Sequence, residues 1–200
     1  MSISVCLSTF GDRAKWQPLA DRAAASVPSD VELIRVHLDG TDPGLCGAAR
    51  NAAIREATGS HIVCLDADDT LAPGYVEAML PHLAPDAVLM PWVAAMREDG
   101  SVSEPHALDS QPSTIARARN LVIGSCFPRA QWEREPFRED LVCREDCAFW
   151  LGAQLAGLRF VTVPGAVYRV ERRPDGRRLT KGREDVWRDI YRERVGRMAA

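Results

Sequence analysis

Gly59-Ser-His-Ile-Val-Cys-Leu-Asp-Ala-Asp-Asp-Thr70 is the stretch from which the rest of the chain is read. His61 to Leu65 is a short apolar run rich in β-branched residues, bounded by Gly59 before it and by carboxylates after it, the pattern of a buried strand in a parallel sheet. Asp66, Asp68 and Asp69 then fall at the carboxyl end of that strand, the edge at which open α/β sheets bind ligands. Two readings fit three acids within four residues. One is a solvated turn in which Asp69 or Thr70 caps a helix starting near Pro73. The other is a cation site, because mutual repulsion among carboxylates is relieved by Mg2+ or Mn2+, ions that prefer hard oxygen ligands.

Bulk properties narrow the field. Two hundred residues suffice for one domain with a substantial core. A net charge of -3 gives no support to nucleic-acid binding. The only lysines are Lys15 and Lys181, so basic character comes from arginine, which suits fixed phosphate or carboxylate contacts. The opening Met-Ser-Ile-Ser has no leader character, and no segment approaches the ~20 apolar residues that span a bilayer, so the expectation is a soluble, cytoplasmic protein. Cys6, Cys46, Cys64, Cys126, Cys143 and Cys147 are scattered, several of them in apolar runs, and read as buried free thiols.

Working outward toward the amino terminus, Ile3 to Leu7 reads as a first buried strand, and Ser8 to Asp12 as a turn with capping chemistry. Apolar residues from Trp16 to Val27 recur at helical spacing and stop at Pro28. Val31 to Leu38 makes the second strand, Asp39 to Gly44 an acidic turn, and Gly47 to Ala57 a helix closing before Gly59. This βαβαβ order predicts an α/β fold with an open, mostly parallel, Rossmann-like sheet flanked by helices. The three strand ends then bring Ser8 and Thr9, Asp39 and the acid cluster to one crevice, with Arg50 on the second helix able to point into it. Asp39 as a self-satisfied turn and Arg50 as a surface helix charge are the plain alternatives.

The segment Ile-Ser-Val-Cys-Leu-Ser-Thr-Phe-Gly-Asp-Arg (3 to 13) resembles the opening strand and turn of family 2 glycosyltransferases of the GT-A fold. Leu-Asp-Gly-Thr-Asp (38 to 42) is similar to their acidic turn, one residue shorter, and the block from Ala49 to Asp69 is closer still. The resemblance implies a nucleotide-sugar transferase. By it, Ser8, Thr9, Phe10 and Asp39 line the nucleobase side, Arg50 lies beside the base or a phosphate, and Asp66 and Ala67 meet the ribose. Asp68 or Asp69 takes the metal, Mn2+ or Mg2+.

Toward the carboxyl end, a helix from Pro73 carries Tyr75, Val76, Met79, Leu80 and Leu83. Ala87 to Met96 is expected to be a strand broken at Pro91, and Arg97 to Pro112 a mobile surface loop over the acceptor side. Leu121 to Phe127 reads as a strand bearing Ser125, and Trp132 and Phe137 as core aromatics before acceptor-pocket residues. Arg144-Glu145-Asp146 opens a helix ending at Gly157. Two acids in a first turn complement the helix dipole and are commonplace; the resemblance implies more, with Asp146 as catalytic base and Glu145 as an acceptor-binding or orienting acid. Phe160 to Val163 reads as a short strand, and residues 163 to 170 match the family's return segment, implying Arg169 near the diphosphate. Where relatives carry a metal-binding histidine, this chain has Glu171, Arg172 and Arg173. Lys181 to Ala200 reads as an amphipathic helix docked on the core, with dimerisation or an anionic membrane surface disfavoured by the acids that balance its arginines.

The resulting expectation is a single GT-A domain over 1–180, with a nucleotide-binding half (1–96) and an acceptor and catalytic-base half (97–180), followed by the 181–200 helix. Its reaction is inverting, metal-assisted sugar transfer from a nucleotide-sugar, a UDP-sugar first among them, to a hydroxyl on a glycan, lipid-linked or protein acceptor. Two rivals remain. Asp66-Ala-Asp68-Asp69-Thr70 also satisfies the Asp-x-Asp-x-Thr signature of haloacid-dehalogenase-like phosphatases with Asp66 as nucleophile, although the motif order around it is wrong for that class. The third reading is a catalytically idle nucleotide-binding domain.

Overall fold

The β-branched runs form the centre of one sheet, where strands covered on both faces need no polar alternation. The computed structural model describes residues 1–42, 44–108, 121–171 and 184–196. Strands β1 (Ile3–Phe10), β2 (Glu32–Leu38) and β3 (His61–Asp66) are parallel, and helices α1 (Arg13–Ala25) and α2 (Leu45–Glu56) make the two crossovers. Asp12 caps α1 by accepting the Lys15 N–H at 3.2 Å. Between α2 and β3 the chain passes so close to β1 that a side chain at Gly59 would run into Ser4, whose hydroxyl instead accepts the Gly59 N–H at 2.7 Å.

Beyond β3 come β4 (Thr70–Leu71), α3 (Tyr75–Met79), β5 (Ala87–Met96), β6 (His106–Ala107), β7 (Cys126–Pro128), α4 (Arg129–Arg134), α5 (Glu145–Leu155), β8 (Arg159–Glu171) and α6 (Glu184–Gly196). The sheet order is β2-β1-β3-β7-β5-β8-β4, with β6 paired to β5. β7 runs antiparallel to β3 and β5, β5 and β8 are parallel, and β4 is antiparallel to β8. The expected open, mostly parallel α/β sheet is what forms.

Several local expectations change. The helix foreseen from Pro73 to Leu83 is α3 alone, followed by one tight 3-10 turn over Leu80–His82, because Pro81 has no N–H to continue the ladder. Pro91 does not break β5; the ladder shifts register there, pairing Pro91 with Val163 and Trp92 with Val167, so Pro164 to Ala166 bulge out of β8. The separate segments 160–163 and 163–170 are therefore one strand. Of the expected 121–127 strand only Cys126 and Phe127 are extended, as the start of β7; Leu121 to Ser125 forms a turn closed by Ser125 N–H on the Val122 carbonyl at 3.1 Å. The 97–108 part of the expected loop folds back, with Met96 bridging Val102 and β6 pairing with Trp92 and Val93; residues 109–112 lie outside the described residues.

The core wraps both faces of the sheet. Phe137 stacks on Phe149 at 4.3 Å, and Phe127 and Trp150 pack edge-on around them. Trp132 and Phe137 thus belong to the core, and the Trp132 indole donates to Asn51 Oδ1 at 2.8 Å. All six cysteines are free and five are buried. Of the stretch 181–200, α6 covers Glu184–Gly196: buried Ile190 packs on Leu141 and Ala148, and Arg138–Glu193 and Glu135–Arg194 ion pairs tie it down. Among the described residues, no helix is long and apolar enough to cross a membrane.

Candidate active site

Sheet register assembles the first part of the site. Ser8 stands beside Asp66 in the β1–β3 ladder, while Thr9 and Phe10 stand beside His37 and Leu38 in the β1–β2 ladder. Asp39 follows β2 with its side chain almost wholly in solvent, and its Oδ1 lies 3.7 Å from His37 Nε2. Thr9 is buried and its hydroxyl meets His37 Nδ1 at 2.8 Å. These residues reach the same edge of the sheet as the acid cluster, with Asp39 two strands away from it.

At the tip of β3 the chain turns tightly, the Asp69 N–H donating to the Asp66 carbonyl at 3.0 Å. Ala67 is buried in this turn, and one carboxylate oxygen from each of Asp66, Asp68 and Asp69 lies within 4.8 Å of the others. Asp69 is the buried member. Its Oδ1 accepts the Glu171 N–H at 2.9 Å, and the Tyr168 hydroxyl reaches it as well. Burial, then Asp66 and Asp68, push its carboxyl well above the usual carboxylate range. Tyr168 also accepts the Asp66 N–H at 3.2 Å, so one buried phenol fixes both ends of the turn. On the solvent side, Arg22 donates to the Asp68 carbonyl at 2.7 Å and pairs with the Glu171 carboxylate. Arg169 is half-buried and pairs through its backbone with Thr70, one residue beyond the acids. Arg172 and Arg173 lie outside the described residues.

Arg50 does not stand open in the crevice. It is buried, donates to Asp66 Oδ1 at 2.9 Å, and forms an ion pair with Glu145. Its guanidinium lies 5.7 Å from the Phe137 ring centroid. One arginine on α2 therefore joins the acid turn after β3 to the first turn of α5, and this packing leaves it less available to a phosphate than the sequence suggested. Burial raises the Glu145 carboxyl, but Arg50, the helix backbone and the Cys46 thiol outweigh it, so Glu145 is held below the usual carboxylate range. Asp146, the next residue, behaves oppositely. It is half-buried, and desolvation followed by the Glu145 charge pushes it up. Its Oδ1 accepts the Cys147 N–H at 2.7 Å, which orients the carboxylate at the helix start. Arg144, immediately before, adopts φ 68° and swings the chain into the helix.

Sequence reasoning missed Tyr168, Arg22, Asn51 and His37. Asn51 accepts from Trp132 and from the Phe137 N–H (3.0 Å) and donates to the Phe137 carbonyl at 2.8 Å, fastening the 132–137 segment to α2. The one signal available was polar residues at inward-facing positions of strands and helices.

The family profile described as Glycosyl transferase family 2 matches residues 29–139, more than half of the chain. No curated protein sequence matches it. Solved structures of S. aureus TarS residues 1–349 share the fold: the complex with UDP-GlcNAc aligns at TM-score 0.68 and 16% identity over 95% of this chain and 64% of that one. The UDP complex aligns at 0.62 and 18% over 98% and 71%. A further structure of the same TarS fragment aligns at 0.60 and 18% over 86% and 60%, so the chain spans less than two thirds of that relative. With the strand order, the acid turn and the profile in agreement, the chain belongs to glycosyl transferase family 2.

Proposed function

We propose that this chain moves a sugar from a nucleoside-diphosphate sugar, a UDP-sugar first, to an acceptor hydroxyl with inversion at the anomeric carbon. The observation that carries this reading is the Arg50 bridge, which brings the acids of a donor site (Asp66, Asp68, Asp69) and the Glu145–Asp146 pair into one assembly. Family membership and the UDP and UDP-GlcNAc complexes of the TarS structures support it. Residues 1–96 hold the donor in this reading, and 97–180 supply the acceptor side.

Asp146 is the base. Its raised proton affinity suits it to take the proton of an attacking hydroxyl, and Glu145, locked to Arg50, orients it. Ser8, Thr9, Phe10 and Asp39 meet the nucleoside, and Arg169 stands near the diphosphate. The acid triad fits a divalent cation: hard oxygens close together, one of them buried and strained toward protonation by its neighbours. Asp68, half-exposed, and Asp69, buried, would hold Mn2+ or Mg2+, with Asp66 beside them. When bound, such an ion neutralises charge on the departing nucleoside diphosphate.

The phosphatase reading needs a lysine beside Asp66. Among the described residues the cation on Asp66 is Arg50, and Lys15 lies 5.5 Å over the Trp16 ring.

Donor hydrolysis and transfer, measured across nucleotide-sugars with Mn2+ for the wild type and Asp146→Asn, test the proposal. The variant should fold, bind nucleotide and lose about 100- to 10,000-fold in turnover. Unchanged turnover removes the base; nucleotide binding with no hydrolysis or transfer in the wild type supports the idle domain instead.

A further inference from the structure

Arg144, directly before the Glu145–Asp146 pair, differs from the arginines around it. Those are committed to carboxylates: Arg50 to Asp66 and Glu145, Arg22 to Glu171, Arg138 to Asp140 and Glu193. Among the described residues, Arg144 has no carboxylate partner. Its Nη1 meets Cys147 Sγ at 3.9 Å, a weak contact, and its Nε is buried without a hydrogen bond. The residue is half-buried, so its charge has lost part of its hydration with no protein anion to replace it.

The Cys147 thiol also contacts the Asp146 carboxylate. One sulfur atom thus touches both the guanidinium and the proposed base, which puts the two groups beside the same part of the first turn of α5, close enough for one small acceptor to meet both. Glu145, next to Arg144 in the chain, and Asp66, across the Arg50 bridge, are acidic. They repel an anion, whereas a guanidinium without a carboxylate partner attracts one. Its planar fork suits phosphate and carboxylate alike.

We infer that Arg144 binds an anionic group, phosphate or carboxylate, carried by the acceptor beside the hydroxyl that reacts. The inference rests on the glycosyl-transfer reading and adds to it the chemical class of the acceptor: a hydroxyl compound with a negative charge near its reacting end. Arg144 selects the acceptor, and Asp146 keeps the role of base.

The test is transfer from a panel of nucleotide-sugars, with Mn2+, to matched acceptors: glucose against glucose 6-phosphate, and glucose against glucuronate. The enzymes compared are the wild type, Arg144→Gln, Arg144→Lys and Arg144→Gly. For the wild type, a KM roughly ten- to a hundredfold lower for a charged member than for glucose is expected, and the arm with the larger gap names the anion. The gap should close in Arg144→Gln and Arg144→Gly and survive in part in Arg144→Lys. Glycine adopts φ 68° without strain, so the gap stays measurable if the glutamine variant fails to fold. A wild type that prefers neither charged member, or transfers to none of the three, overturns the inference. So does an Arg144→Gly enzyme that keeps the wild-type gap, or one whose KM rises equally for charged and neutral acceptors. Hydrolysis of the donor by the wild type needs no acceptor, and its presence in those cases leaves the glycosyl-transfer reading standing; its absence overturns both.

Discussion

Replacing Arg50 by methionine should destabilise the protein most near neutral pH and least in acid. The guanidinium is buried and serves two carboxylates. Removing one partner of a buried pair leaves an uncompensated charge and costs about 3–5 kcal/mol. The Asp66 side chain is 37% exposed, so water solvates much of its share, whereas that of Glu145 is 8% exposed and bears most of the loss. About 3 kcal/mol is therefore the working figure, a fall in Tm of roughly 6–12 °C for a chain of this size. The pH dependence follows from Glu145. In the wild type its carboxyl is held below its usual value, so its contribution is present above the unfolded pKa and fades as pH falls through the folded one. Without Arg50, burial is left to push the same carboxyl up, and the penalty disappears once the group is protonated. Thermal and urea unfolding from pH 7 down to about pH 4 should show the two proteins converging. A Tm loss under about 2 °C at pH 7, or a gap that widens on acidification, would refute the claim that Arg50 is the strut of the site.

Tyr168→Phe removes a hydroxyl that accepts the Asp66 N–H and reaches Asp69; it should cost about 1–3 kcal/mol in urea unfolding and weaken Mn2+-dependent UDP binding, with the aromatic core intact by near-UV circular dichroism. Gly124→Ala would press a methyl into the buried Tyr168 ring, and differential scanning calorimetry should register roughly 1–3 kcal/mol of destabilisation from the overpacking. If Asp146 is the base, the pH profile of turnover should rise along an acid limb shifted above the ordinary Asp value, because its carboxyl is pushed up by burial and by Glu145; a limb at the ordinary Asp value, about 3.9, would assign it to another group.

What could be read from the sequence was set by local chemistry. β-branched runs between short turns declare buried parallel strands, and acids after them declare strand ends, so β1 to β3, α1, α2 and the Asp66–Asp69 turn were visible before any coordinates. The Glu145–Asp146 pair was visible only through its likeness to a family, since acids in a first turn are ordinary on physical grounds. What could not be read was pairing between distant segments. Nothing local says that Pro91 stays in its strand, because the accommodation is made by the bulge at Pro164 to Ala166 on the partner. Nothing local says that Arg50 faces inward either: its partners lie 16 and 95 residues away. His37 and Tyr168 were hidden for the same reason. A polar residue in a strand shows its purpose only when the neighbouring strand's register is known.

Charge balance links these features to the chemistry proposed. Asp66 and Glu145 converge on one buried guanidinium, with Asp68, Asp69 and Asp146 beside them in the chain, and Glu171 is paired with Arg22. Asp69, buried beside Asp66 and Asp68, meets their charge with hydrogen bonds and a raised proton affinity. A polyanionic diphosphate entering such a place makes the repulsion worse unless positive charge enters with it. On the proposed reading, the crowding that leaves Asp69 inclined to hold a proton suits the turn to a divalent ion, and ion binding there would displace that proton. On the proposed reading Arg50 is engaged in joining the acid turn to the Glu145–Asp146 end of α5, and the charge that neutralises the leaving group comes from other groups.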